Sequence, residues 1–321
     1  MSIDLESTVL ERITPDEKPL ISSKVNEIPP CEAGESCNLP TDIVLRSSDG
    51  IRFGAHSKNL EIYSDGFPIA DSVVRSAEDI ILPEDSDVVL LLLRFMHYQP
   101  QPDLSLLASR LLIKFANAVE KYRVYSATGV CKVMIGLSVD DQPFEVFLYA
   151  QRHGYLSIMD KAGKLAITQE PANFFAYAHS IGDTTWRDLA ELETHNLPTK
   201  EVWEALRQYP DWPPIFGAWY LKREQMREAI FDALKNPNPV LHKGGLMHCA
   251  DWYPFLADVL GKMGTSIPSY KTFVQVIESC LPRLNGCTHC NIVVNNVIKS
   301  RMYTLDVIAR KSLASYLDGD R

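Results

Sequence analysis

Apolar positions follow two regimes along this chain. Between residues 42 and 97 they fall into short runs that mix strands with helices, and from Leu104 onward they recur at helical spacing. The run Ile43, Val44, Leu45 meets Ser47-Ser48-Asp49-Gly50 and then Ile51, Arg52, Phe53. Asp-Gly between two apolar runs predicts a β-hairpin, because Gly takes the positive φ such turns demand. His56 opens a short helix near Ser57–Tyr63, and Asp79–Leu82 reads as a further strand. Ser86 is placed to cap a helix whose inner side carries Val88, Leu91, Leu92, Phe95 and Met96. Pro100 and Pro102 then break the chain.

Beyond them, Leu107, Leu111, Phe115, Ala118 and Tyr122 fall at steps of four, four, three and four, one apolar helix face. An internal repeat follows. Phe147, Tyr149, Ala150, Gly154, Asp160 and Ala162 reappear 28 residues later as Phe175, Tyr177, Ala178, Gly182, Asp188 and Ala190, with Ile158 matched by Trp186. In each copy Gly stands where a helix would end, since it accepts the left-handed conformation cheaply. Residues 147–190 are therefore expected to form two helical hairpins stacked in tandem. Further helices are predicted at 215–234, 252–263, 269–281 and 291–317, punctuated by prolines.

Composition adds boundaries. Residues 1–40 carry five prolines among Glu, Ser and Lys, with few apolar residues to bury, and read as a disordered arm. Cys31 and Cys37 lie in it; their spacing of six fits no familiar metal knuckle, so they read as two unpaired thiols. The net charge of −9 argues against a nucleic-acid-binding body. The opening residues lack the apolar core of a secretory signal. Val88–Leu93 is far too short to span a membrane. Seven cysteines without a secretory signal then point to reduced thiols in the cytoplasm or nucleus.

The stretch from Asp42 to Phe67 resembles the opening of a BTB/POZ domain. Asp42, Asp49-Gly50, Phe53, His56, Leu60, Ser64 and Phe67 match its pattern of hairpin, helix-opening His and Ser-x-x-Phe. Residues 82–98 resemble the strand and helix that follow in that family, and residues 116–135 its closing helices. The closest likeness is to the BTB proteins abundant in fungi. The resemblance implies an α+β unit at 41–140, a small sheet flanked by helices, followed by an α-helical region at 141–321. It implies a non-enzymatic protein-interaction role, with self-association as a homodimer near His56–Phe67 and a helical part that recruits a protein partner. It also admits a cullin-type ubiquitin-ligase substrate adaptor.

No catalytic constellation is visible. The chain has no nucleophile elbow, no P-loop, no G-x-G-x-x-G and no H-E-x-x-H. Asp42 and His56 have the residue types of an acid–base pair, but no third group or oxyanion donor accompanies them. They are expected to be a buried structural pair satisfying each other's hydrogen bonds. Cys and His are dense near the C-terminus, where Cys287-Thr-His-Cys290 forms a C-x-x-C knuckle in an expected loop. Zinc accepts such a pair, and Cys249, with His248 or His242, is the natural supplier of further ligands. Cys280 falls on the helix face of Phe273 and Ile277 and reads as core. Structural zinc at Cys249, Cys287 and Cys290 is one expectation, and reduced thiols are the other. A zinc-dependent enzyme using this cluster is a third reading, and it would need an open coordination position and a general base.

Overall fold

The structure is a computed structural model that describes residues 28–34, 37–67, 79–235, 250–263 and 270–317. Among the described residues the chain is α+β, mostly helical with one three-stranded sheet. It divides into two compact units. The first comprises Met1–Leu106 with Lys114–Val130, and the second Leu107–Ile113 with Cys131–Arg321. Among the described residues, no helix is long and apolar enough to cross a membrane.

The first unit is built on the sheet β2-β1-β3. Strand β1 (Ile43–Arg46) pairs antiparallel with β2 (Arg52–Ala55), in the register Ile43↔Ala55 to Arg46↔Arg52. The predicted hairpin is present: Gly50 has φ 86° and donates its N–H to Ser47 O at 2.9 Å. Strand β3 (Ile80–Ile81) is only two residues long and runs parallel to β1. Leu45, Phe53 and Ala55 share one sheet face and are buried, as the two-residue period of a strand requires.

Helix α1 (Ser57–Tyr63) follows β2 directly, and its buried residue is Leu60. Helix α2 (Ser86–Phe95) buries every position the sequence pattern assigned to its inner side, and Met96 beyond it is buried too. Two carboxylates hold its N-terminus. Asp85 accepts from Val88 N at 3.2 Å, and Asp49 from Ser86 N at 3.0 Å. The second of these ties the hairpin turn to the helix.

Helices α3 (Ser109–Tyr122) and α4 (Tyr125–Leu137) follow. On α3 the expected stripe is only part of the buried face. Phe115, Ala118 and Tyr122 are buried, Leu107 and Leu111 are half-buried, and Leu112, Ala116 and Val119 widen the face.

In the second unit both repeat copies form helical hairpins, α5 (Pro143–His153) with α6 (Leu156–Gln169) and α7 (Pro171–Ser180) with α8 (Thr184–Thr194). Gly154 and Gly182 have φ 74° and 70°. Equivalent closing bonds run from Tyr155 N to Ala150 O at 2.8 Å and from Asp183 N to Ala178 O at 3.0 Å. Trp186 packs its ring against Phe147 and Phe174, directly over Gly163, where a Cβ would come within 2.6 Å of the indole.

Helix α9 (Thr199–Leu206) precedes α10 (Trp212–Lys235), whose first turn carries Pro213 and Pro214, positions that need no intrahelical N–H bond. Helices α11 (Trp252–Met263), α12 (Tyr270–Cys280), α13 (Thr288–Arg310) and α14 (Ala314–Leu317) complete the unit. Their core gathers Trp252, Phe255, Phe273, Ile277 and Cys280.

Candidate metal centre

The positions singled out between Asp42 and Phe67 act as scaffold within the first unit. Asp42 accepts from the backbone N–H of Ser57 at 2.8 Å and from its hydroxyl, holding the first turn of α1 against β1. Burial alone would raise the Asp42 carboxyl, but the Ser57 bonds outweigh it and hold it below the usual carboxylate range. The Ser64 hydroxyl donates to Tyr122 O and accepts from Phe67 N at 3.3 Å. Phe67 stacks on Tyr122 at 4.3 Å, and the Tyr122 hydroxyl donates to Glu84 at 2.6 Å. Leu60 lies in the core.

The expected Asp42–His56 pair is not made, because each finds a nearer partner. Asp42 is engaged by Ser57. His56 Nδ1 lies 2.9 Å from Pro40 O. That leaves His56 Nε2 facing elsewhere, and it lies 3.2 Å from Cys37 Sγ.

A second thiol–imidazole contact sits beside it. Cys31 Sγ is 3.2 Å from His97 Nε2, and His97 Nδ1 is 2.6 Å from Leu93 O at the end of α2. The two rings meet nearly edge to face, with centroids 5.2 Å apart. The four donor atoms of Cys31, Cys37, His56 and His97 all lie within 4.8 Å of one another, a grouping that can hold a metal ion. The four residues come from three pieces of local structure. Cys31 and Cys37 flank a bend whose Cys37 N–H donates to Gly34 O at 3.3 Å. His56 stands between β2 and α1 in extended conformation, and His97 just past α2.

The electrostatics suit ligation. A backbone carbonyl only accepts, so each Nδ1 carries the ring proton and each Nε2 offers its lone pair to the cluster. Burial holds His97 below its ordinary value, so it is neutral at pH 7. Burial raises the Cys31 thiol, and the Cys37 thiol beside it adds to the rise. Without a cation the Cys31 thiol is therefore harder to ionise than a free thiol.

The segment that supplies the thiols lies closely on the protein. Pro29 O occupies the space a Cβ on Gly54 would need, at 1.9 Å. Ala33 is buried, and its carbonyl accepts from Gln99 Nε2 at 2.7 Å. The arm expected over residues 1–40 is thus packed where it is described, from Ile28; residues 1–27 lie outside the described residues.

The C-terminal ligand set is placed only in part. Cys249, His248 and His242 lie outside the described residues. Cys287 caps α13 and Cys290 lies in its first turn, so the knuckle expected in a loop is a helix start. Cys290 is buried in the core of the second unit with Cys280, as expected for Cys280.

Comparison with protein-family models, with curated proteins and with solved structures finds no match to the chain.

Proposed function

We propose that this chain is a non-enzymatic interaction protein, in which a BTB/POZ-like first unit self-associates and the helical second unit recruits a protein partner inside the cell. The observation that carries this reading is the arrangement of the first unit. A tight hairpin, β1 with β2, leads into α1, a short strand pairs parallel beside β1, and α2 follows it. The positions that carry the resemblance have structural tasks there: Asp42 on the start of α1, Ser64 and Phe67 on the end of α3. The stacked hairpins of the second unit pack Phe147, Phe174 and Trp186 against one another, the kind of helical stack that offers surface for a partner.

In the same reading the Cys31–Cys37–His56–His97 centre is a structural zinc site. Four protein ligands fill a tetrahedron and leave no open position for a substrate. Light scattering on the full chain at tens of micromolar tests the self-association. A dimer mass is expected, and a monomer mass at that concentration overturns it. Cullin added to the same experiment separates an adaptor, which shifts the mass, from a protein with other partners.

A further inference from the structure

We propose that zinc at Cys31, Cys37, His56 and His97 is a latch, and that the ion, rather than apolar burial, holds residues 28–34 and 37–40 in place beside β2. The latch rests on the structural-zinc reading above and adds a task for the ion, the ordering of a segment that has little else to hold it.

The donor set selects the ion. Two sulfurs and two imidazole nitrogens are soft and borderline ligands, unsuited to magnesium or calcium, which take oxygen. Zn–S near 2.3 Å and Zn–N near 2.0–2.1 Å in a tetrahedron put neighbouring sulfur and nitrogen about 3.5 Å apart. The two observed S···N separations are 3.2 Å. Little movement is needed to admit an ion. Both rings are already locked by their carbonyl partners, Pro40 O and Leu93 O, so their Nε2 lone pairs converge without further ordering.

The segment itself supplies the second observation. Among its described residues Ala33 is the one buried apolar side chain, while Ile28 and Leu39 are exposed. Yet its backbone runs in close contact with β2 at Gly54, and Gln99 reaches its Ala33 carbonyl. One alanine and a few hydrogen bonds are a poor return for fixing a chain of this length. Metal ligation makes good the difference, because the free energy of binding at a site absent from the unfolded segment is spent on ordering it. The ligand positions fit that task. The ion would tie the segment at Cys31 to a residue 66 positions away and at Cys37 to one 19 positions away, so both ends of the bend are pinned.

The test uses the full chain under reducing conditions with zinc as the probe. Metal analysis is expected to give one zinc that is lost in Cys31→Ser/Cys37→Ser and in His97→Ala. It is expected to survive in His97→Cys, which completes a Cys3His set, and in Cys287→Ser. Cleavage after the exposed Glu32 by a glutamate-specific protease reads the latch. It is expected to be at least about tenfold faster when a chelator strips the wild-type protein, and to slow again when zinc is restored. Zinc that binds while Glu32 is cut at the same rate with and without it overturns the latch and leaves the zinc reading standing. Protein that neither carries zinc nor takes it up overturns both. Because chelation is done on the wild type, a variant that fails to fold does not decide the matter.

Discussion

Replacing Glu191 with alanine should be among the costliest single changes in the second unit. Glu191 on α8 and Lys222 on α10 form an ion pair at 2.7 Å, with both side chains all but excluded from solvent, at 3% and 1% exposure. Lys222 Nζ also donates to Lys311 O at 2.8 Å and Ala309 O at 3.2 Å, so its three donors are used. His195 Nε2 lies 3.4 Å from the same carboxylate oxygen. Burial alone would raise Glu191, but the His195 contact and the Lys222 charge outweigh it and hold it ionised. Removing the carboxylate leaves a buried ammonium facing two carbonyls. Breaking one side of such a pair costs about 3–5 kcal/mol. The carbonyls sit at the negative end of α13, which favours the lower part of that range, near 3 kcal/mol. All five tryptophans belong to the second unit, so urea unfolding followed by tryptophan fluorescence reads that unit alone. The double variant Glu191→Leu/Lys222→Met removes both charges and should return to within about 2 kcal/mol of wild type, the remainder being the two orphaned carbonyls. A loss below about 1 kcal/mol for Glu191→Ala, or a double variant weaker than the single, would refute the assignment of Lys222 as a buried charge in need of its partner.

Three further outcomes are expected. Gly66→Ala should destabilise the first unit by roughly 1–3 kcal/mol or more in thermal melts, because the new Cβ would fall 2.5 Å from Tyr122 Cα and carbonyl carbon and prise apart the Gly66 N–H bond to Tyr122 O; an unchanged midpoint would count against that contact. Asp85→Ala should cost about 1 kcal/mol through loss of the α2 cap, seen as a shifted urea midpoint with unchanged slope. On acidification, fluorescence-monitored stability should fall once pH drops below about 6.5, since burial holds His179 and His195 below that ordinary value. The unfolded imidazoles gain protons there while the folded ones do not, so the unfolded state is favoured, and the full contribution is present at higher pH; flat stability between about pH 7 and 5 would contradict this.

Local chemistry made most of the fold readable. The hairpin turns on Gly50, and both repeat hairpins turn on glycines whose positive φ only that residue takes without strain. Non-local pairing is what the pattern lacks. Nothing in Ile80-Ile81 says that it lies parallel to β1 rather than elsewhere, since parallel partners are brought together by the intervening chain. Helix α9 is short and sits between Pro198 and Pro210, so its apolar period hardly repeats before the next breaker. The long helix expected to reach residue 317 stops at Arg310. There Lys222, distant in sequence, takes the carbonyls of Ala309 and Lys311 that further helical turns would have used.

The candidate metal centre was hidden for a related reason. A knuckle such as Cys287-x-x-Cys290 announces itself because one turn presents both sulfurs, and spacing then stands in for geometry. Cys31, Cys37, His56 and His97 have no such spacing. What places them together is that His56 directly follows β2 and His97 lies just past α2, two element boundaries that the fold brings together in the first unit. The usable signal was therefore not distance between cysteines but histidines at element boundaries. Each has a carbonyl within reach of Nδ1, which commits Nε2 to whatever lies opposite. His56 shows how this alters a sequence reading. Taken with Asp42 it suggested a self-contained pair; taken with Pro40 it becomes an imidazole whose Nε2 is aimed at Cys37. One position can then serve both the start of α1 and the anchoring of the segment before β1.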